Sequence, residues 1–173
     1  ADGKGDDQQQ VSVYRHRLGT AQEADEAVYA TPENPRHNPY GLVSEDGRWL
    51  VLVISYGFDS NAIHLRDLSK PDAPVARILD KWDGIYDFLG AIGDRLYFKT
   101  TQGAPRGRVI AIEAGKSGSG SPALIEIVPE AQARLYQASL AGGHVIANYL
   151  EDARSRLRVY RMDGSLRGEI QLP

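Results

Sequence analysis

The sequence predicts an all-β fold, a partial β-propeller of about three and a half four-stranded antiparallel blades, and three observations carry that reading. Short stretches of alternating apolar residues are broken by turn residues every eight to twelve positions or so, the rhythm of a sandwich, barrel or propeller. Three strands richer in apolar residues than their neighbours recur, in "EDGRWLVLVIS" (45–55), "IGDRLYFKT" (92–100) and "AGGHVIANYL" (141–150). Gly47, Gly93 and Gly143 lead into them at spacings of 46 and 50 residues, and a more amphipathic strand follows each: "NAIHLRDL", "GRVIAIEA" and "SRLRVYRMDG". About four short strands in a period of this length is the signature of propeller blades.

The run Leu50 to Ile54 is apolar at five consecutive positions, where a sheet with one wet face would alternate. A strand inside a stack of blades is covered on both faces and can be apolar throughout. In chain order, strands are expected at 11–18, 26–30, 48–55, 62–68, 75–79, 85–92, 95–100, 108–114, 123–128, 135–141, 144–150, 157–162 and 166–172. Only "PEAQARLYQ" (129–137) has helical spacing, and a single turn is expected there. The strands group as the end of one blade (1–35) and three further blades (36–82, 83–130 and 131–173). Propellers close with about four to eight blades, so this count leaves two blade faces open, and the chain reads as a piece of a larger ring.

A length of 173 residues suits one domain with a real core. Twenty Lys and Arg against 23 Asp and Glu give a net charge of −3, and no basic cluster exceeds the mixed "EDARSRLR" (151–158), which argues against a nucleic-acid partner. No run approaches the roughly 18 to 20 apolar residues of a membrane span, and "ADGKGDDQQQ" has no apolar centre, so no membrane partner is expected. The chain reads as soluble, cytoplasmic or periplasmic. The absence of cysteine excludes disulfides, thiolate metal sites and a cysteine nucleophile, while leaving the compartment open.

Catalytic chemistry is not evident in the residues. "GKSGSGS" (115–121) comes nearest to a Gly-x-Ser-x-Gly elbow, but Ser119 stands where the last glycine belongs and no strand–turn–helix frames it, so a surface loop is expected. His16, His37, His64 and His144 show no metal spacing, and His16 and His64 alternate within strands, which places them at surface or edge positions. "DGKGDD" (2–7) lacks the acceptor series and the bidentate Glu of a calcium loop. Asp25 with Glu26, and Glu151 with Asp152, read as solvated turn carboxylates. No catalytic residue, metal or cofactor is therefore expected.

The run "DGKGDD", then "VYRHRLGTAQEADEAVY" (13–29), "VSEDGRWLVLVISYGFDSNAIHLRDL" (43–68), "WDGIYDFLGAIGDRLYFKTTQGAPRGRVIAIE" (82–113) and "IVPE" (127–130) resembles the propeller domain of prolyl oligopeptidases. These serine peptidases pair an α/β-hydrolase domain with a seven-bladed propeller. The resemblance is collinear over nearly the whole chain and corresponds to about half of the propeller and none of the hydrolase domain. It implies cleavage of short peptides after proline, with the propeller capping the active site and excluding folded proteins. It also implies a chain that is inactive alone, since the Ser/Asp/His triad belongs to the other domain.

Aligned on "YGFD", Phe58 falls on a pocket-lining position, with Tyr56 and Asp59 beside it. The stretch "HNPYG" (37–41) also approaches that pocket in the family, which brings in Asn38 and Tyr40, although an apolar residue is commoner there. The implied partners are short proline-containing peptides, the hydrolase domain and the remaining blades. A second reading is a self-contained binding module that closes its ring by oligomerising through the open blade faces, two copies making seven blades. A β-sandwich interaction domain is a third reading, but it does not account for the recurring glycine-led strand.

Overall fold

In a computed structural model, residues 11–114 and 122–172 are described. They form a two-stranded ribbon and three four-stranded antiparallel sheets. The ribbon pairs β1 (Ser12–Arg15) with β2 (Glu26–Ala30) across a 3₁₀ turn at Gln22–Ala24. The first full sheet runs β3 (Asn38–Val43), β4 (Trp49–Ser55), β5 (Asn61–Asp67) and β6 (Ala76–Leu79) in spatial order. The second runs β7 (Tyr86–Ile92), β8 (Arg95–Thr100), β9 (Arg108–Glu113) and β10 (Ile125–Val128). The third runs β11 (Arg134–Ala141), β12 (His144–Glu151), β13 (Arg154–Arg161) and β14 (Leu166–Ile170). This is a partial propeller of three and a half blades, as the sequence predicts. Among the described residues no helix is long and apolar enough to cross a membrane.

The recurring glycines do the same job in each blade. Gly47, Gly93 and Gly143 lie in the hairpins between first and second strands at φ of 73°, 59° and 71°, where a Cβ would be strained and glycine is not. Each hairpin launches a strand that is among the most buried of its sheet. In β4, Trp49, Val51 and Val53 face the second sheet and share a core with Leu96, Phe98, Ile110 and Ile112. Leu50, Leu52 and Ile54 point the other way, onto Val13, Val28 and Tyr29 of the ribbon. One strand thus feeds two cores, and that is why its apolar run does not alternate. At roughly 1.5–3 kcal/mol for each fully buried large apolar side chain, these six positions are a major source of the stack's stability.

The second sheet repeats the pattern: Phe98 and Ile110 face the first sheet, while Tyr97, Val109 and Ala111 join Leu135, Val145, Ala147 and Tyr149 of the third. In the third sheet the pattern breaks. Val145, Ala147 and Tyr149 are buried, but Ile146 and Asn148 are half-buried and Leu150 is exposed, so β12 alternates although its sequence resembles β4. Among the described residues no sheet lies against its outer face.

Several expectations need correction. β3 is a strand that the sequence pattern does not predict, because Pro39 and Gly41 are both poor strand residues. β3 is an edge strand, where a missing N–H costs no ladder bond, and the open side of Gly41 is filled by Leu50 and Val13. His64 is not at a surface or edge: it is 3% exposed, on the face of β5 that meets the ribbon. His16, by contrast, is exposed as expected and pairs with Asp25 at 2.7 Å. Residues 129–137 hold a bend that leads into β11 and no helical turn. The turn carboxylates are paired: Glu26 with Arg15 at 2.7 Å, and Glu151 with Arg156 and Arg158 at 2.8 and 3.1 Å. The stretches "DGKGDD" and "GKSGSGS" lie outside the described residues.

Candidate functional site

Of the residues singled out in the sequence, Asn38, Tyr56 and Phe58 lie at one end of the first sheet, and Tyr40 lies two residues further along β3. β3 starts at Asn38 where β4 ends at Ser55, and the two are register partners, with the Ser55 hydroxyl donating to the Asn38 carbonyl at 3.1 Å. The loop 56–60 leaves from there and returns at Asn61. Gly57, at φ 74°, turns it sharply between Tyr56 and Phe58. Phe58 is 94% exposed, an unusual position for a large apolar side chain, and Tyr56 is about half exposed. An aromatic held out of the core at the end of a rigid strand is available for contact with something outside the chain.

Two aromatic residues outside the set the sequence points to, His37 and Trp82, lie in a row beside Tyr56. The His37 ring lies 6.0 Å from that of Tyr56 and 4.8 Å from that of Trp82, a short aromatic row across the blade end. Trp82 sits at φ 56°, a costly conformation for a bulky residue, and packs against the core shared by the first sheet and the ribbon. Its sequence context, "KWDG", gives no sign of that backbone, which is imposed by the crossover from β6 to β7.

Asn38 and Tyr40 are two residues apart on β3 and share a face, with Pro39 buried opposite. Tyr40 stands towards the second sheet: burial is the largest influence raising its pKa, and the negative charge of Asp87 on β7 adds to it. Asp87 is itself paired with Lys99 at 2.7 Å. Asn38 and Tyr56 are therefore brought together, Phe58 projects alone, and Tyr40 is turned towards the inner strand of the next blade.

Asn61 fixes where the loop ends. Its buried side chain accepts from the Tyr86 N–H at 2.8 Å and donates to the Tyr86 carbonyl at 3.0 Å, while its own N–H donates to the Gly84 carbonyl at 3.1 Å. A side-chain amide here imitates a strand partner and clasps one blade to the next. Asn61→Ala should leave two buried backbone groups of Tyr86 unpaired and cost about 2–3 kcal/mol. Chemical denaturation of the two proteins measures it, and a loss below about 0.5 kcal/mol would show that the clasp is dispensable.

Among the described residues there is no cluster of three or more potential metal ligands. A family profile described as prolyl oligopeptidase, N-terminal beta-propeller domain, matches residues 1–173. The chain belongs to this prolyl oligopeptidase propeller family. Among relatives of this propeller, a prolyl endopeptidase of Elizabethkingia miricola is 29% identical over 163 residues, which is 93% of this chain and 22% of the relative. A solved prolyl endopeptidase, studied for the role of inter-domain dynamics in catalysis and specificity, superposes with a TM-score of 0.86 at 35% identity, over 95% of this chain and 24% of its own. Apo prolyl oligopeptidase B of Galerina marginata superposes with a TM-score of 0.81 at 26% identity, over 90% of this chain and 22% of its own. The propeller chain described here thus spans less than a quarter of the length of the relatives it matches.

Proposed function

We propose that this chain is the part of a prolyl endopeptidase propeller that limits access to a peptidase active site, and that it contributes no catalytic group of its own. The match of the whole chain to the propeller family carries the reading, since propellers of this family accompany a peptidase. The physics agrees. Rigid blades, each joined to the next by a dry core, admit only chains thin enough to thread past them. Phe58 and Tyr56, with Asn38 and Tyr40 on the adjacent strand, are the side chains we assign to contact with a short proline-containing peptide in the intact enzyme.

The test is to express the complete reading frame and the 173-residue chain side by side with a chromogenic peptide bearing proline before the scissile bond. The complete protein should cleave the peptide and spare the same sequence within a folded protein, while the chain alone shows no turnover. Turnover by the chain alone, or a reading frame that ends at Pro173, overturns the proposal. In the complete protein Phe58→Ala should raise KM about tenfold, a loss of about 1.4 kcal/mol of binding, with little change in kcat. An unchanged KM removes Phe58 from the site.

A second reading rests on the outer face and edge of the third sheet, where Leu150, Leu166 and Ile170 are 46%, 53% and 44% exposed. Such a surface favours self-association of the chain as a binding module. Sedimentation velocity should show concentration-dependent dimers or larger species, and a clean monomer across the concentration range contradicts this reading.

A further inference from the structure

His64 is the one imidazole withdrawn from solvent, and it lies on the seam between two sheets. It pairs with Leu52 across β4 and β5, on the face covered by the ribbon. Its Nδ1 is 2.7 Å from the Tyr29 hydroxyl on β2, and the two rings meet edge to face at 5.6 Å. Among the described residues its Nε2 has no hydrogen-bond partner, and the carboxylate oxygen Oδ1 of Asp80, after β6, is 3.6 Å away. The arrangement suits a neutral ring with its proton on Nε2, facing Asp80, and its Nδ1 accepting from the Tyr29 O–H.

The charged groups around the ring come from both sides of the seam. Tyr29 on β2 and Glu33 after it face the ring from the ribbon side, and Arg77 on β6 and Asp80 after it face it from the blade. Arg77 ties the two sides together, reaching Glu33 at 2.8 Å and Asp80 at 3.4 Å. Asp80 is therefore partly spent on Arg77 and is only weakly available to neutralise an imidazolium, while the Arg77 charge opposes one.

We propose that His64 is a pH-sensitive latch: the neutral ring seats the ribbon on the first blade through Tyr29, and protonation releases the ribbon and uncovers Leu50, Leu52 and Ile54. A proton on Nδ1 removes the acceptor that the Tyr29 hydroxyl uses and places a cation in a site built for a neutral ring. Burial is the largest influence on His64 and lowers its pKa from 6.5, outweighing the upward pull of Asp80. The open form therefore binds the proton better than the closed form, and the seam loses stability as pH falls through 6.5. The opening constant should rise about tenfold for each pH unit between the open-state and closed-state pKa values.

The experiment is amide hydrogen exchange of the 173-residue chain at pH 7.5 and 5.5, corrected for the chemical exchange rate, beside an NMR titration of the His64 ring. Protection across β1, β2 and β4 should fall by up to about tenfold at the lower pH, with β8 and β9 unchanged. His64→Gln, which stays neutral, should show the same protection at both values. Tyr29→Phe keeps the ring and removes only the hydroxyl, so it remains informative should the glutamine variant fail to fold. It should lower ribbon protection at pH 7.5 and blunt the response to acid. The latch is overturned if ribbon protection is independent of pH in the wild type, if His64→Gln loses protection on acidification as the wild type does, or if Tyr29→Phe keeps the full pH response.

Discussion

Replacing Phe98 by alanine should destabilise the chain by about 4 kcal/mol, in the range of 3–5 kcal/mol for emptying a buried phenylalanine site. Phe98 has no exposed surface and lies at the centre of the core shared by the first and second sheets, with Val51, Val53, Ile110 and Ile112 around it. Its ring meets that of Phe88 at 5.5 Å between centroids. β8 is held to β9, and β4 to β5, by unbroken ladders, which limits collapse of the blades into the vacated volume, so both the transfer and the cavity costs are incurred. At about 2–4 °C for each kcal/mol in a chain of this size, the unfolding midpoint should drop by about 10 °C. Thermal unfolding followed by circular dichroism reads this directly. Phe98→Leu should recover more than half of the loss, and a fall of less than about 1 kcal/mol for the alanine variant would show that the sheets adjust independently.

Gly84→Ala should cost about 3 kcal/mol, the upper end of what overpacking produces, although the change adds a single methyl group. A Cβ built on Gly84 would lie 2.6 Å from the Gln102 nitrogen and 2.8 Å from its Cα. Both obstacles are backbone, so no side-chain rotation relieves them, and the segment between β6 and β7 must move. That movement reaches the candidate site, because the Gly84 carbonyl accepts from the N–H of Asn61, the residue that closes the loop 56–60. In the complete protein the same variant should therefore raise KM for the peptide as well as lower the unfolding midpoint. Gly168→Ala is the control: open space surrounds that position, and the change should stay within about 0.5 kcal/mol. Equal stability of the two variants would mean that the blades yield at Gly84 more easily than their close approach implies.

The fold was largely legible because its signals are local. Glycines that need positive φ at hairpin tops, apolar runs that mark doubly covered strands and regular turn spacing all reside in short stretches of chain. β3 escaped because its suitability as a strand comes from its edge position and from Val13 and Leu50 filling the side of Gly41, which propensity does not express. His64 was misplaced for a related reason. Alternation along β5 puts it opposite Ile63 and Leu65, and in a lone two-sided sheet that would mean solvent, but here the ribbon covers the second face.

The candidate site was legible only in outline. Phe58, Tyr56, Asn38 and Tyr40 came from resemblance to a family, and the structure adds how they are held: a register pair joins Asn38 to Ser55, and Asn61 clasps the loop's end to the next blade. His37 and Trp82 were within sight in the sequence as ordinary aromatics. Their meeting at 4.8 Å depends on two segments 45 residues apart in sequence arriving at one blade end.

By itself, then, the sequence determined the all-β class, the blade period and the strand whose apolar residues serve two cores, because each follows from the periodicity of neighbouring residues. The tertiary structure alone decided which faces are covered. Burial of β4 on both sides, alternation in β12 despite a similar sequence, and withdrawal of His64 from water all depend on which sheet stacks against which. Stacking is a property of pairs of sheets, and no single strand carries it.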